Sequence, residues 1–192
     1  MVSVHNLPLV EAVDRDLRFV AVRHEAAAVN AADGHARAGG GLGCALTSTG
    51  TGAGNAAGSM IEALAAGSRV LHVTGNIDSA HLGRGRGVIH ETKDQLGMLT
   101  AVSKHAATIT SAGTAASVLR TAIRHARTLP YGPVSVEWPI DLQYAAQQDT
   151  GAGAENGPAV PRPDAAHTVS TARVAEIAAR LAAARRPLIW AG

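Results

Sequence analysis

Cysteine is nearly absent from this chain of 192 residues, with Cys44 standing alone. One thiol can form no internal disulfide and no thiolate metal cluster, and it suits a reducing compartment, so a cytoplasmic setting is expected. Aromatic residues are also scarce, at 3%. The apolar mass is mostly Ala, Val and Leu, which favours close packing of helices on a sheet. No apolar run approaches the length of a membrane span. Glu11 and Asp14 fall early, where a secretory leader would be apolar. Clustered basic charge is missing too. Lys and Arg number 17 against 15 Asp and Glu, for a net charge of +2, and the arginines are scattered. A nucleic-acid partner requires a basic face, so none is expected. The 46% hydrophobic content is that of a packed globular protein. The length allows one ordinary domain and a piece of another.

Short apolar runs alternate with helical patterns. Strands are expected near residues 18–23, 42–47, 69–74, 106–110 and 133–138. Helices are expected over residues 25–38, 56–66, 94–102 and 112–128, the first stopped by Gly39 and the second by Gly67. Residues 48–55 read as a glycine-rich turn, and residues 75–88 as a loop. Strands separated by helices imply an α/β fold, a parallel sheet with helices on both faces.

The texture then changes. Residues 147–164 hold Gly151, Gly153, Gly157, Pro158, Pro161 and Pro163, the composition of a linker. Ser170 is a good N-cap for a helix over residues 171–184, and residues 188–192 begin an apolar strand. One helix and one strand cannot bury a core of their own. The expected organisation is a domain over residues 1–145, a linker over 146–168, and the start of a second domain over 169–192.

Arg23-His24-Glu25 lies where the first strand gives way to a helix. Strand carboxyl ends in a parallel sheet face the ligand crevice, and a helix start favours a carboxylate. The simpler reading makes Glu25 a charge at a helix start and His24 an exposed turn residue; spacing alone leaves both open. The turn from Gly50 to Asn55 follows a strand and precedes a helix, so its N–H groups are placed to receive an anion. A dinucleotide fingerprint would need glycine at position 55, where Asn55 stands. A tight strand-to-helix turn is the plainer reading. His90, Glu91 and Asp94 lie close together, but one histidine at loose spacing makes a poor metal site, and solvated loop charges explain them better. No metal ligand is assigned. Gly83-Arg84-Gly85-Arg86-Gly87 is one short basic repeat, best read as a mobile loop.

Taken in order, five segments resemble the N-terminal, pyrimidine-binding domain of the thiamine diphosphate enzymes related to acetolactate synthase and benzoylformate decarboxylase. Arg23-His24-Glu25-Ala26-Ala27-Ala28 running to Ala32-Asp33-Gly34-His35-Ala36-Arg37 is similar to that family's R-H-E-x-x-A followed by A-D-G-Y-A-R. Thr49-Gly50-Thr51-Gly52-Ala53-Gly54-Asn55 is similar to its S-G-P-G-A-T-N, and Val73-Thr74-Gly75-Asn76 to a strand ending in T-G-Q. Lys104-His105 matches its T-K-H, and Gly132-Pro133-Val134 through Pro139-Ile140-Asp141-Leu142-Gln143 its G-P-V-x-x-x-x-P-x-D-V-Q.

The resemblance implies a thiamine diphosphate-binding fold, truncated at both ends. A first strand and helix are lacking, and so is the later domain whose G-D-G…N-N motif holds Mg²⁺. It gives Glu25 the role of hydrogen-bonding the cofactor's aminopyrimidine ring, which promotes loss of the thiazolium C2 proton. Gly50, Gly52, Asn55, Gly75 and Asn76 would line the cofactor's side of the pocket. His24, His90 and Glu91 would face a 2-oxo acid substrate. It further implies a dimer or tetramer, and no turnover by the fragment alone. Departures fall at Ile89-His90-Glu91 for F-Q-E, Thr51 for proline, Asn76 for glutamine and His35 for tyrosine. They leave decarboxylase and carboligase chemistry equally open. The two other classes weighed are a nucleotide-binding α/β module and a non-catalytic structural homologue; the presence of Glu25 speaks against the latter.

Overall fold

The computed structural model describes residues 2–39, 41–145 and 170–190. It comprises two compact units, Met1–Val160 and Pro161–Gly192. In the first unit, β1 (Gly43–Thr47), β2 (Val70–Asn76), β3 (His105–Thr108) and β4 (Val134–Pro139) form one sheet in the order β1-β2-β4-β3. Every pairing is parallel, with Thr47 beside Thr74, and Glu137 between Thr74 and Thr108. All four carboxyl ends therefore share one edge.

Side-chain alternation along β2 explains the layers. Val70 faces one core with Val29, Ala32, Ala45, Ala56 and Met60. Its neighbour Leu71 faces a second, with Ile109, Ala122, Ala126, Val134 and Val136. The first core is closed by α2 (Glu25–Gly39) and α3 (Thr51–Ala65), the second chiefly by α5 (Ala115–Arg127). A sheet covered on both faces forms from near-continuous apolar runs, and β4 is buried at every position. The small residues of the first core let helices approach closely.

Several boundaries differ from the sequence expectation. The run at residues 18–22 is not a strand. Its composition suits a sheet, but a strand needs a hydrogen-bonded neighbour, and no described strand borders it. Val20 accordingly stays exposed. An unanticipated helix, α1 (Leu7–Asp16), carries Pro8 in its first turn, where a fixed φ and a missing N–H are suited. The glycine-rich turn is shorter than expected, because α3 already starts at Thr51. Gly75 and Asn76 belong to β2 rather than to the following loop, which holds a short 3₁₀ turn at Ser79–His81. The shorter helices α4 (Gln95–Ala101) and α6 (Ile140–Tyr144) complete this unit. The linker at 147–164 lies outside the described residues. In the second unit, α7 (Thr171–Ala183) forms as expected, whereas residues 188–190 form no strand.

Candidate functional site

Glu25 opens α2 and is only 4% exposed. Burying a carboxylate is costly unless it is hydrogen-bonded, and the free N–H groups of a helix start favour it. Asn55 Nδ2, in the first turns of α3, donates to Glu25 Oε2 at 3.1 Å. The other oxygen faces Gly52, where an added Cβ would lie 3.0 Å from Glu25 Oε1 and 2.7 Å from Ser48 Cβ. Position 52 must therefore be bare for α3 to approach α2 this closely. Gly50, at φ +57, turns the chain from β1 into α3 in a conformation most side chains resist, with the His90 carbonyl packed against it.

A polar floor continues along the carboxyl edge. Gln95, the first residue of α4, accepts from Gly50 N at 2.7 Å and Thr49 Oγ1 at 2.9 Å. Its amide donates to Gly75 O at 3.0 Å and Glu137 Oε2 at 3.1 Å. Burial pushes the Glu137 carboxyl above its ordinary range, although hydrogen bonds from Thr108 and Gln95 draw it back. Asn76 Oδ1 accepts from Ile77 N at 2.9 Å and Thr49 Oγ1 at 3.4 Å. Glu137, Gln95, Asn76, Thr108 and Lys93 line a cavity of about 320 Å³. The segment before α1 straps this edge: Ser48 Oγ donates to Ser3 Oγ at 2.6 Å, Asn6 Nδ2 to Thr47 O at 2.8 Å, and Gln143 Nε2 to His5 O at 2.8 Å. The His5 carbonyl packs on Gly75.

The residues singled out from sequence divide accordingly. Asn55 and Gly52 meet Glu25, Gly50 turns the chain just before them, and Gly75 and Asn76 end the adjoining strand. His90 sits beside Gly50, exposed, at φ +65, with its ring edge-on to His5 at 5.9 Å between centroids. His24 is exposed, and its Nδ1 accepts from Ala26 N at 3.2 Å, the geometry of a helix cap. Glu91 turns into its own loop and accepts from Val88 N at 3.1 Å. Desolvation would raise the Glu91 carboxyl, but the backbone N–H groups of residues 85–88 outweigh it and hold it low. Lys104-His105 lies at the amino edge of the sheet, away from the crevice. There Lys104 Nζ donates to the carbonyls of His125 and Thr128, both at 2.6 Å, at the end of α5. That part of the motif is structural.

Thr49, Gln95, Glu137, His5 and Ser48 were not singled out from sequence. Only Glu137 carried a signal, a carboxylate inside the apolar run of β4, which folding leaves unpaired rarely. The Gly50 and Gly52 N–H groups are both engaged internally, the latter to Thr49 O at 3.0 Å, leaving fewer donors for a phosphate. Among the described residues, no three His, Cys, Asp or Glu side chains are grouped to hold a metal ion, and no helix is long and apolar enough to cross a membrane.

Residues 1–98 match the family described as thiamine pyrophosphate enzyme, N-terminal TPP binding domain. A probable acetolactate synthase large subunit from Methanocaldococcus jannaschii is 34% identical over 71% of this chain and 23% of its own length. The probable 2-ketoarginine decarboxylase AruI of Pseudomonas aeruginosa is 32% identical over 99% of this chain and 33% of its own. The thiamine diphosphate-dependent 4-hydroxybenzoylformate decarboxylase of Rhodococcus jostii RHA1 superposes with a TM-score of 0.79 at 22% identity, covering 94% of this chain and 33% of that one. It shares the fold. The chain thus spans a quarter to a third of the length of these relatives.

Proposed function

Because the chain belongs to the thiamine pyrophosphate enzymes through their N-terminal TPP-binding domain, we propose that it holds the aminopyrimidine ring of thiamine diphosphate for a 2-oxo acid decarboxylase or carboligase. The observation that carries this reading is the buried Glu25 carboxylate, held by Asn55 against the bare Cα of Gly52. The residues fit the group: a buried carboxylate, directed by Asn55, can hydrogen-bond a ring nitrogen.

When bound, the cofactor supplies a thiazolium electron sink for the bond broken or formed beside the 2-oxo carbonyl. Glu25, itself only 4% exposed, would hold a proton at a pyrimidine ring nitrogen. Asn55 fixes the carboxylate's direction through Oε2. Gly50, Gly52, Gly75 and Asn76 form the wall at the ends of β1 and β2. His90, whose carbonyl packs on Gly50, would face the substrate, with His24 and Glu91 as the other substrate-side residues. Mg²⁺ and the diphosphate are assigned to a domain that the described residues do not contain. A cytoplasmic homodimer or tetramer completes the reading.

Proton–deuterium exchange at the thiazolium C2, measured in the cofactor- and Mg²⁺-loaded enzyme, tests it. Glu25→Gln should slow exchange by roughly 10² to 10⁴, the usual range for a positioned acid or base, with the fold intact. If Glu25 only stabilises a helix start, the variant loses about 1 kcal/mol or less of stability and exchanges normally. Normal exchange overturns the proposal.

A further inference from the structure

Gln95 has no freedom left. It is 4% exposed, and each polar end of its amide meets two partners. Those partners sit on the turn after β1, on β2 and on β4, so one side chain ties three strand ends together. Few groups can do this. A carboxylate has no donor, an ammonium has no acceptor, and a shorter amide would not reach. Gln95 is in turn held by Glu137, whose Oε1 accepts from Thr108 Oγ1 at 2.5 Å while Oε2 takes the Gln95 amide.

We infer that Gln95, braced by Glu137, is a positioning pair for the cofactor pocket: it clamps the Thr49–Gly50 turn and so sets where Asn55 meets Glu25. The lever is short. Gly50 is the residue on which α3 starts, and Gly52 and Asn55 occupy its first turns. Displacing the Gly50 N–H displaces the turn carrying both. Without Gln95, that N–H becomes an unpaired buried donor, and its cost is relieved by just such a shift.

Glu137 adds a pH dependence. Facing it are Asp94 from the start of α4, Gln95, Thr108 from β3 and Asn76 from β2, with Lys93 on the wall of the same cavity. Ionised, Glu137 accepts a charge-assisted bond from Gln95; protonated, it accepts a weaker one. The clamp tightens as pH rises through the Glu137 titration, which burial has moved upward.

The pair is read out without cofactor, and its use rests on the function proposed above. In the full chain, the Gly50 backbone amide and the Asn55 side-chain amide are followed by nuclear magnetic resonance, in hydrogen exchange and chemical shift. The wild type should show Gly50 protected, increasingly so as pH rises past the ordinary carboxylate range. Q95E keeps the shape but sets a second carboxylate against Glu137; it should lower Gly50 protection about tenfold or more and shift the Asn55 signals. E137Q should keep the protection and lose its pH dependence, which loss of packing alone would not do. Unchanged Gly50 and Asn55 signals in Q95E, or a persisting pH dependence in E137Q, overturn the inference. If Q95E does not fold, the E137Q profile alone decides. The C2 exchange experiment on the cofactor- and Mg²⁺-loaded enzyme separates the two ideas: normal exchange in Glu25→Gln sinks the functional reading, while the Gly50 responses still decide the clamp.

Discussion

A methyl group at position 52 would sit 2.7 Å from Ser48 Cβ, whereas one at position 54 would meet nothing within 4 Å. Gly52→Ala is therefore expected to cost about 1–3 kcal/mol through overpacking and to loosen the Asn55–Glu25 contact. Gly54→Ala, exposed on the same helix, should stabilise by up to about 1 kcal/mol through helix propensity. Urea denaturation of the two variants checks the contrast. His72 acts differently. It is fully buried in β2, with Nε2 2.8 Å from Thr47 Oγ1 and Nδ1 3.1 Å from Ser135 Oγ. Burial lowers its pKa from 6.5 to about 4, so the fold holds it neutral. The unfolded chain binds this proton first, so the stabilisation is full above about pH 6.5 and is lost as pH falls toward 4. That change amounts to about 3 kcal/mol. The urea midpoint should fall as pH drops from 7 to 4, and His72→Gln should flatten that pH dependence.

Met60 stands at the centre of the packing of α3, with no exposure. Met60→Ala should cost about 2–5 kcal/mol, visible as a lowered urea midpoint at unchanged slope. Elements of this kind were legible because their apolar residues repeat. β1, β2 and β4 read as short runs between breakers, and α2 and α5 as one-sided stripes. The run at residues 18–22 read equally well, yet it is not a strand, because sequence shows a segment's composition but not its neighbour. The start of α3 was misplaced for another reason. Gly50, Gly52 and Gly54 signal a turn locally, and tertiary packing against Glu25 overrides that preference. The site was legible only in part. Glu25 and Asn55 lie 30 residues apart and were joined by a family pattern rather than by any period. Gln95 lies in none of the matched segments and Glu137 at an unspecified position of one; they stand 42 residues apart, and only the sheet brings them together.

Across the whole chain, Ile61 and Leu64 on α3 remain 52% and 37% exposed. Large aliphatics beside the small residues of this helix suit association of subunits. Sedimentation should find a dimer or larger assembly, and Ile61→Glu with Leu64→Glu should shift it toward monomer. A single sedimenting monomer in the unsubstituted protein would sink this expectation. The position of β1 carries a different consequence. Among the described strands it ends the sheet order, and it bears Cys44, the chain's single thiol, exposed. Burial of its surroundings still pushes that thiol above its ordinary range, so it reacts slowly at neutral pH. A purified sample should therefore age on the bench. Where two chains bring their exposed sulfurs together, oxidation by air joins them, and covalent pairs accumulate over days, faster in alkaline buffer. Reductant or Cys44→Ser should keep the band single on a non-reducing gel.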